Sequence, residues 1–210
     1  MCLSCFEIRE EITISKQGSG NYVFLLDMSR SKSLIDMAMS MQMAKDRTSF
    51  AQIDSAFAKG TERLAQIQGI QNVQAINDHE QYVFGMRFDF QHIEALNAAL
   101  NQSQEQAELN GTNIFTFKKK ELSRTERTPI SALADLAVLR STPEGAAQMQ
   151  TLLQGAAYVC VVRPQTGKIR SFSNPNGELQ DNNKTFYYRV PLLDIMEGRT
   201  SPANTIKFKF

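Results

Sequence analysis

Glu7-Ile8-Arg9-Glu10-Glu11-Ile12-Thr13-Ile14-Ser15, then Gln17-Gly18-Ser19-Gly20-Asn21, then Tyr22-Val23-Phe24-Leu25-Leu26-Asp27, is the stretch whose reading decides the fold class. Ile8, Ile12 and Ile14 alternate with Arg9, Glu11, Thr13 and Ser15, the period of two that marks a half-buried strand. The glycines at 18 and 20 suit a turn because they reach positive φ without a Cβ clash. Tyr22, Phe24 and Leu26 resume the alternation, so the unit predicts a β-hairpin that opens the domain.

Working outward, Ser33 can cap a helix that carries Met37, Met39, Met41 and Met43. Residues 37 and 41 share one face of that helix, and 39 and 43 share another. Phe50, Ile53, Phe57, Leu64 and Ile67 recur at helical spacing and predict an amphipathic helix over 49–68. A weak strand is expected over 70–76. The strongest strand is 82–90, where Tyr82, Phe84, Met86, Phe88 and Phe90 fall on one face. Ile93, Leu96 and Leu100 mark a third helix. A strand over 113–119 follows, with 124–128 expected as a loop. Two short helices are predicted over 129–139 and 143–153. The last part reads as β-rich: 158–162 with a hairpin partner over 168–173, then 185–190, and an amphipathic strand of Ile206, Phe208 and Phe210. These elements predict an α+β fold, a single domain over residues 7–210 in which amphipathic helices pack on one face of a curved antiparallel sheet. No repeat, low-complexity tract or linker divides the 210 residues.

Charge and composition narrow the partners. Lys+Arg 23 against Asp+Glu 22 gives a net charge of +1, without the electrostatic footprint of a non-specific nucleic-acid binder, so no nucleic-acid partner is expected. Lys118-Lys119-Lys120 has Glu121 and Glu126 beside it and reads as a solvated strand end. No window approaches the ~20 apolar residues that span a bilayer.

The three cysteines, Cys2, Cys5 and Cys160, cannot make a disulfide framework. Cys160 sits in the apolar run Tyr158-Val159-Cys160-Val161-Val162 and reads as a small buried side chain. Cys2 and Cys5 lack a second pair for a zinc site, so no metal is expected. Leu3-Ser4-Cys5 resembles the lipobox of bacterial lipoproteins, which makes residues 1–6 a residual lipobox-like segment and Cys5 the expected lipidation site. The charged and apolar regions of a signal peptide do not precede it in the sequence. A start upstream of Met1 would supply them and place the domain at the cell envelope, anchored to the membrane. The alternative is a free thiol on a frayed, cytoplasmic N-terminus.

Candidate chemistry is sparse. His79 and His92 stand apart without nearby cysteines, and neither G-x-S-x-G, a P-loop nor H-E-x-x-H occurs. No catalytic residue, cofactor or enzymatic activity is therefore expected. The binding-module reading is stronger: Met37, Met39, Met41 and Met43, with Phe84, Met86 and Phe88, would line a site for a lipid-like apolar ligand, because unbranched methionine adapts to irregular shapes. A structural or assembly subunit of an envelope complex would show the same residues with the aromatic face filled by side chains.

Val161-Val162-Arg163-Pro164, Gly167-Lys168-Ile169, Ser173-Asn174 and Asp181 before Phe186-Tyr187-Tyr188 resemble the closing region of an LppM-like family of bacterial envelope proteins. Cys5, Glu10-Glu11-Ile12, Gly18-Ser19-Gly20 and Asp27 resemble the start of small lipoproteins of Bacteroidetes. The resemblance covers about a third of the chain, and none of its motifs is catalytic. It implies a membrane-anchored α+β domain facing the periplasm or the exterior, with lipid or glycolipid as the implied ligand.

Overall fold

The computed structural model describes residues 6–33, 36, 48–102, 113–126 and 155–210. The opening hairpin forms as its pattern predicts. Strands β1 (Glu7–Ile14) and β2 (Gly20–Asp27) pair in unbroken antiparallel register from Glu7 opposite Asp27 to Ile14 opposite Gly20. The turn is closed by Ser15 and Ser19, whose backbone N–H and C=O meet at 2.8 Å, with Gly18 at φ 88°. Helix α1 (Thr48–Leu64) comes next, then β3 (Ile70–Asp78), β4 (Val83–Phe90) and helix α2 (Ile93–Gln102). The hairpin of β5 (Phe115–Lys118) and β6 (Glu121–Arg124) follows. Strands β7 (Ala157–Pro164), β8 (Lys168–Phe172), β9 (Gly177–Gln180) and β10 (Thr185–Pro191), the short helix α3 (Leu192–Met196) and β11 (Asn204–Lys209) complete the order.

The strands form two sheets, seven in the order β3-β4-β2-β1-β7-β10-β9 and four in the order β5-β6-β11-β8. With the helices packed against them this is an α+β domain, as the sequence predicts. One pairing departs from an all-antiparallel sheet: β1 and β7 run parallel, Glu7 opposite Ala157 through Ile14 opposite Pro164. The two strands lie far apart in sequence, and a parallel pair needs a long crossover rather than a tight turn. Strand β8 departs too. It pairs with β11 in the small sheet, not with β7. Gly167 explains the exit: it sits at φ 85° against Lys209 and Phe210, where a Cβ would lie 2.3 Å from the Lys209 carbonyl oxygen. Strand β9 is an element the sequence pattern does not mark, and Arg124 ends β6 rather than opening a loop. The methionine-bearing segment 37–43 and the predicted helices over 129–139 and 143–153 lie outside the described residues.

The core fills the space between the sheets. Ile8, Ile12 and Ile14 of β1, Tyr158 and Val162 of β7, and Phe186 and Tyr188 of β10 form one cluster with Phe115, Leu122, Ile206 and Phe208 of the small sheet. Helix α2 adds Leu96, Ala99 and Leu100, its apolar stripe. Asn97 fixes that helix to the small sheet, donating to the Phe115 carbonyl at 2.8 Å and accepting from the Ile114 and Phe115 backbone N–H groups. Among the described residues no helix is long and apolar enough to cross a membrane.

Candidate functional site

The chemistry-bearing residues converge where the sheets face each other. On β1 the inward positions are Ile8, Glu10, Ile12 and Ile14, so strand alternation drives a carboxylate into the core. Burial of that charge demands partners, and three arrive from other strands. Arg124 of β6 donates from Nη2 to Glu10 Oε2 at 2.5 Å. Tyr22 of β2 donates its hydroxyl to Glu10 Oε1 at 2.6 Å. Tyr158 of β7 donates its hydroxyl to Glu10 Oε2. The Glu10 and Arg124 side chains are 0% and 4% exposed. The guanidinium also lies over the rings of Phe115 and Tyr158, 5.4 and 5.6 Å from their centroids.

The electrostatics favour the protonated forms of the groups around Glu10. Burial, reinforced by the Glu10 charge, raises Tyr22 well above the ordinary phenol value. Burial raises Tyr158 likewise, although the Arg124 charge opposes it. Burial works against the Arg124 charge, but Glu10 outweighs it and raises the guanidinium further. Burial pushes the Cys160 thiol up to about 12. Near neutral pH the two phenols therefore remain donors and the thiol remains protonated. The cluster forms a lock between the two sheets, tying β1, β2 and β7 of the large one to β6 of the small one.

Beside the lock is a cavity of about 10 Å³, bounded by Arg124, Cys160, Tyr188 and Asn204 and by apolar walls that include Phe115 and Phe186. That is room for about one water molecule.

The opposite face of the large sheet carries a second set of charges. Arg9 and Arg163 flank Glu11, at 2.5 and 2.7 Å. Burial alone would raise the Glu11 carboxyl, but the hydrogen bonds from Arg163 and Arg9 win and hold it below the ordinary carboxylate value. Glu7 lies 3.1 Å from Arg189 and 3.4 Å from Arg30.

Of the residues expected to line an apolar site, Phe84, Met86 and Phe88 lie on β4. Phe84 and Phe88 are 0% and 1% exposed, and Phe88 packs on Tyr22 at a centroid distance of 5.3 Å. Met86 is partly buried against the core, its Cε beside Gly60 of α1. Tyr82 leaves the five-membered face the sequence suggests: it lies before the strand at φ 55°, and its hydroxyl donates to Asp36 at 2.5 Å. Met37, Met39, Met41, Met43 and Cys5 lie outside the described residues. The two histidines stand apart on the surface, His79 at 3.1 Å from Asp54 and His92 at 3.3 Å from Glu94. Sequence reasoning missed Glu10, Arg124, Tyr22 and Tyr158 as one group. The available signal was Glu10 itself, a carboxylate in phase with three isoleucines; nothing in the sequence nominates Arg124 as its partner 114 positions away.

No family model matches the chain, and no curated protein matches it. Among solved structures it is similar to the NMR structure of the folded domain of the Mycobacterium tuberculosis LppM protein, with 12% sequence identity and a TM-score of 0.43, covering 99% of this chain and 92% of that one.

Proposed function

We propose that the chain is a non-catalytic domain of the cell envelope, held at a membrane by a lipid on Cys5, that serves as a structural or assembly subunit and works through its surface. The observation that carries this reading is the filled interior among the described residues. Phe84 and Phe88, which would line an apolar ligand site, are buried by the protein's own side chains, and the cavity beside the Glu10–Arg124 lock holds no more than about a water. A ligand pocket for a lipid-sized molecule spans hundreds of Å³. The compartment rests on Leu3-Ser4-Cys5, which places an acylatable thiol directly ahead of β1.

Two measurements test it. Expressed behind a bacterial lipoprotein signal peptide, the protein should enter the membrane fraction and incorporate labelled fatty acid, and Cys5→Ser should abolish both. Label that persists in Cys5→Ser removes the anchor. Native mass spectrometry of the purified Cys5→Ser chain should show the bare polypeptide mass. A co-purifying lipid mass that disappears in Met39→Leu/Met43→Leu would instead make this a carrier of an apolar ligand, with those methionines in its site.

A further inference from the structure

We propose that the lysine-rich end of the four-stranded sheet docks on an anionic lipid bilayer. Three segments distant in sequence build it. The β5–β6 hairpin turns through Lys119 and Lys120, both left-handed at φ 51° and 67°, and Lys118 precedes them. Strand β11 runs beside this hairpin, its Phe208 N–H donating to the Lys120 carbonyl at 2.9 Å. It sets Lys207 opposite Glu121 and, on its other side, Lys209 opposite Lys168 of β8. Because Ile206 and Phe208 point into the core, the alternate residues Lys207 and Lys209 point away from it. All six lysines are exposed, as is Arg170, which falls at the irregularity in the β8–β11 pairing. Glu121 is the acid within this set, and Lys207 pairs with it at 3.3 Å. In a chain of net charge +1, such a concentration is segregation of charge.

The rest of this end favours a lipid surface. Phe117 and Phe210 are partly exposed there, joined through Phe208 at centroid distances of 6.4 and 5.3 Å. Aromatic rings surrounded by lysines match the bilayer interface, where rings enter the headgroup layer and flexible ammonium groups meet phosphates. A hairpin tip offers no groove to track a nucleic-acid backbone. Lysine also lacks the rigid fork with which arginine reads phosphates and bases. This docking is independent of a lipid on Cys5.

The test uses the full chain carrying Cys5→Ser, so that acylation contributes nothing, and co-sedimentation with vesicles. The protein should pellet with phosphatidylcholine vesicles containing phosphatidylglycerol, remain in solution with phosphatidylcholine alone, and be released by salt. Each lysine near an anionic surface is worth about five-fold in partitioning. Lys119→Gln/Lys120→Gln and Lys168→Gln/Lys209→Gln should each weaken binding about 25-fold, while Lys59→Gln on α1 leaves it unchanged. Circular dichroism confirms that the variants are folded. Equal pelleting with both vesicle types, no pelleting with either, or full binding by both folded double variants overturns the proposal. So does lysine-dependent binding of single-stranded DNA without vesicle binding, which would reassign the surface to a nucleic acid.

Discussion

Removing the guanidinium of Arg124 would strand the Glu10 carboxylate inside the protein. Breaking a buried pair by deleting one partner costs about 3–5 kcal/mol, whereas replacing both partners with apolar groups is often neutral. Arg124→Met should therefore destabilise by about that amount in urea unfolding, and Glu10→Leu/Arg124→Met should recover only part of it. Recovery is partial because Tyr22 and Tyr158 would lose their acceptor, and a buried hydroxyl without a partner costs about 1–3 kcal/mol. Adding Tyr22→Phe and Tyr158→Phe to the double variant should restore more. A loss in the double variant equal to the sum of the separate Glu10→Leu and Arg124→Met losses would mean that the two residues are not coupled.

Glu11 makes a different prediction from a similar charge. Its folded-state pKa lies below the ordinary value of 4.5, so its stabilising contribution is present above that value and disappears as pH falls through the lowered one. Arg163→Ala should move the Glu11 carboxyl titration, followed by carbon-13 NMR, upward toward 4.5 and flatten the acid limb of the stability curve. An unmoved titration would show that Arg9 alone holds the carboxylate.

Among the elements, β4 joins the aromatic face to the rest of the sheet. It pairs with β2 on one side and β3 on the other, and Phe88 is packed on Tyr22, whose hydroxyl reaches Glu10. Phe88→Ala would open a cavity beneath the lock and should cost ~3–5 kcal/mol, read from the denaturation midpoint. A loss below ~1 kcal/mol would mean that the surrounding strands close over the gap. Strand β3 shows how an edge is managed. Its register shifts between Gln71 and Gln74, with Asn72 at φ 52°, and such a bulge twists an edge strand away from pairing with another chain.

In the whole molecule β1 is the central tie. It lies fourth of seven strands, bonded to β2 on one side and to β7 on the other. Hydrogen exchange should therefore be slowest at the β1 amides and faster at the edges β3 and β9, because edge bonds open without unfolding the core. Mass-spectrometric exchange that finds β1 as fast as β9 would contradict a structure held together at its centre.

The sequence by itself determined the local elements: the opening hairpin from its period of two, β4 from its aromatic alternation, α2 from Ile93, Leu96 and Leu100, and the α+β class from their succession. Those features are legible because burial of one face imposes a period on neighbouring residues. Tertiary structure alone decided that β7 lies parallel beside β1, that β8 belongs to the small sheet, and that Arg124 leaves its expected loop to meet Glu10. It also decided that Lys118-Lys119-Lys120, a short solvated run in the sequence, stands with Lys168, Lys207 and Lys209. No periodicity encodes such meetings, because partners distant along the chain are selected by the packing of whole sheets. A carboxylate in the core states that a cation must come, and only the fold states which one.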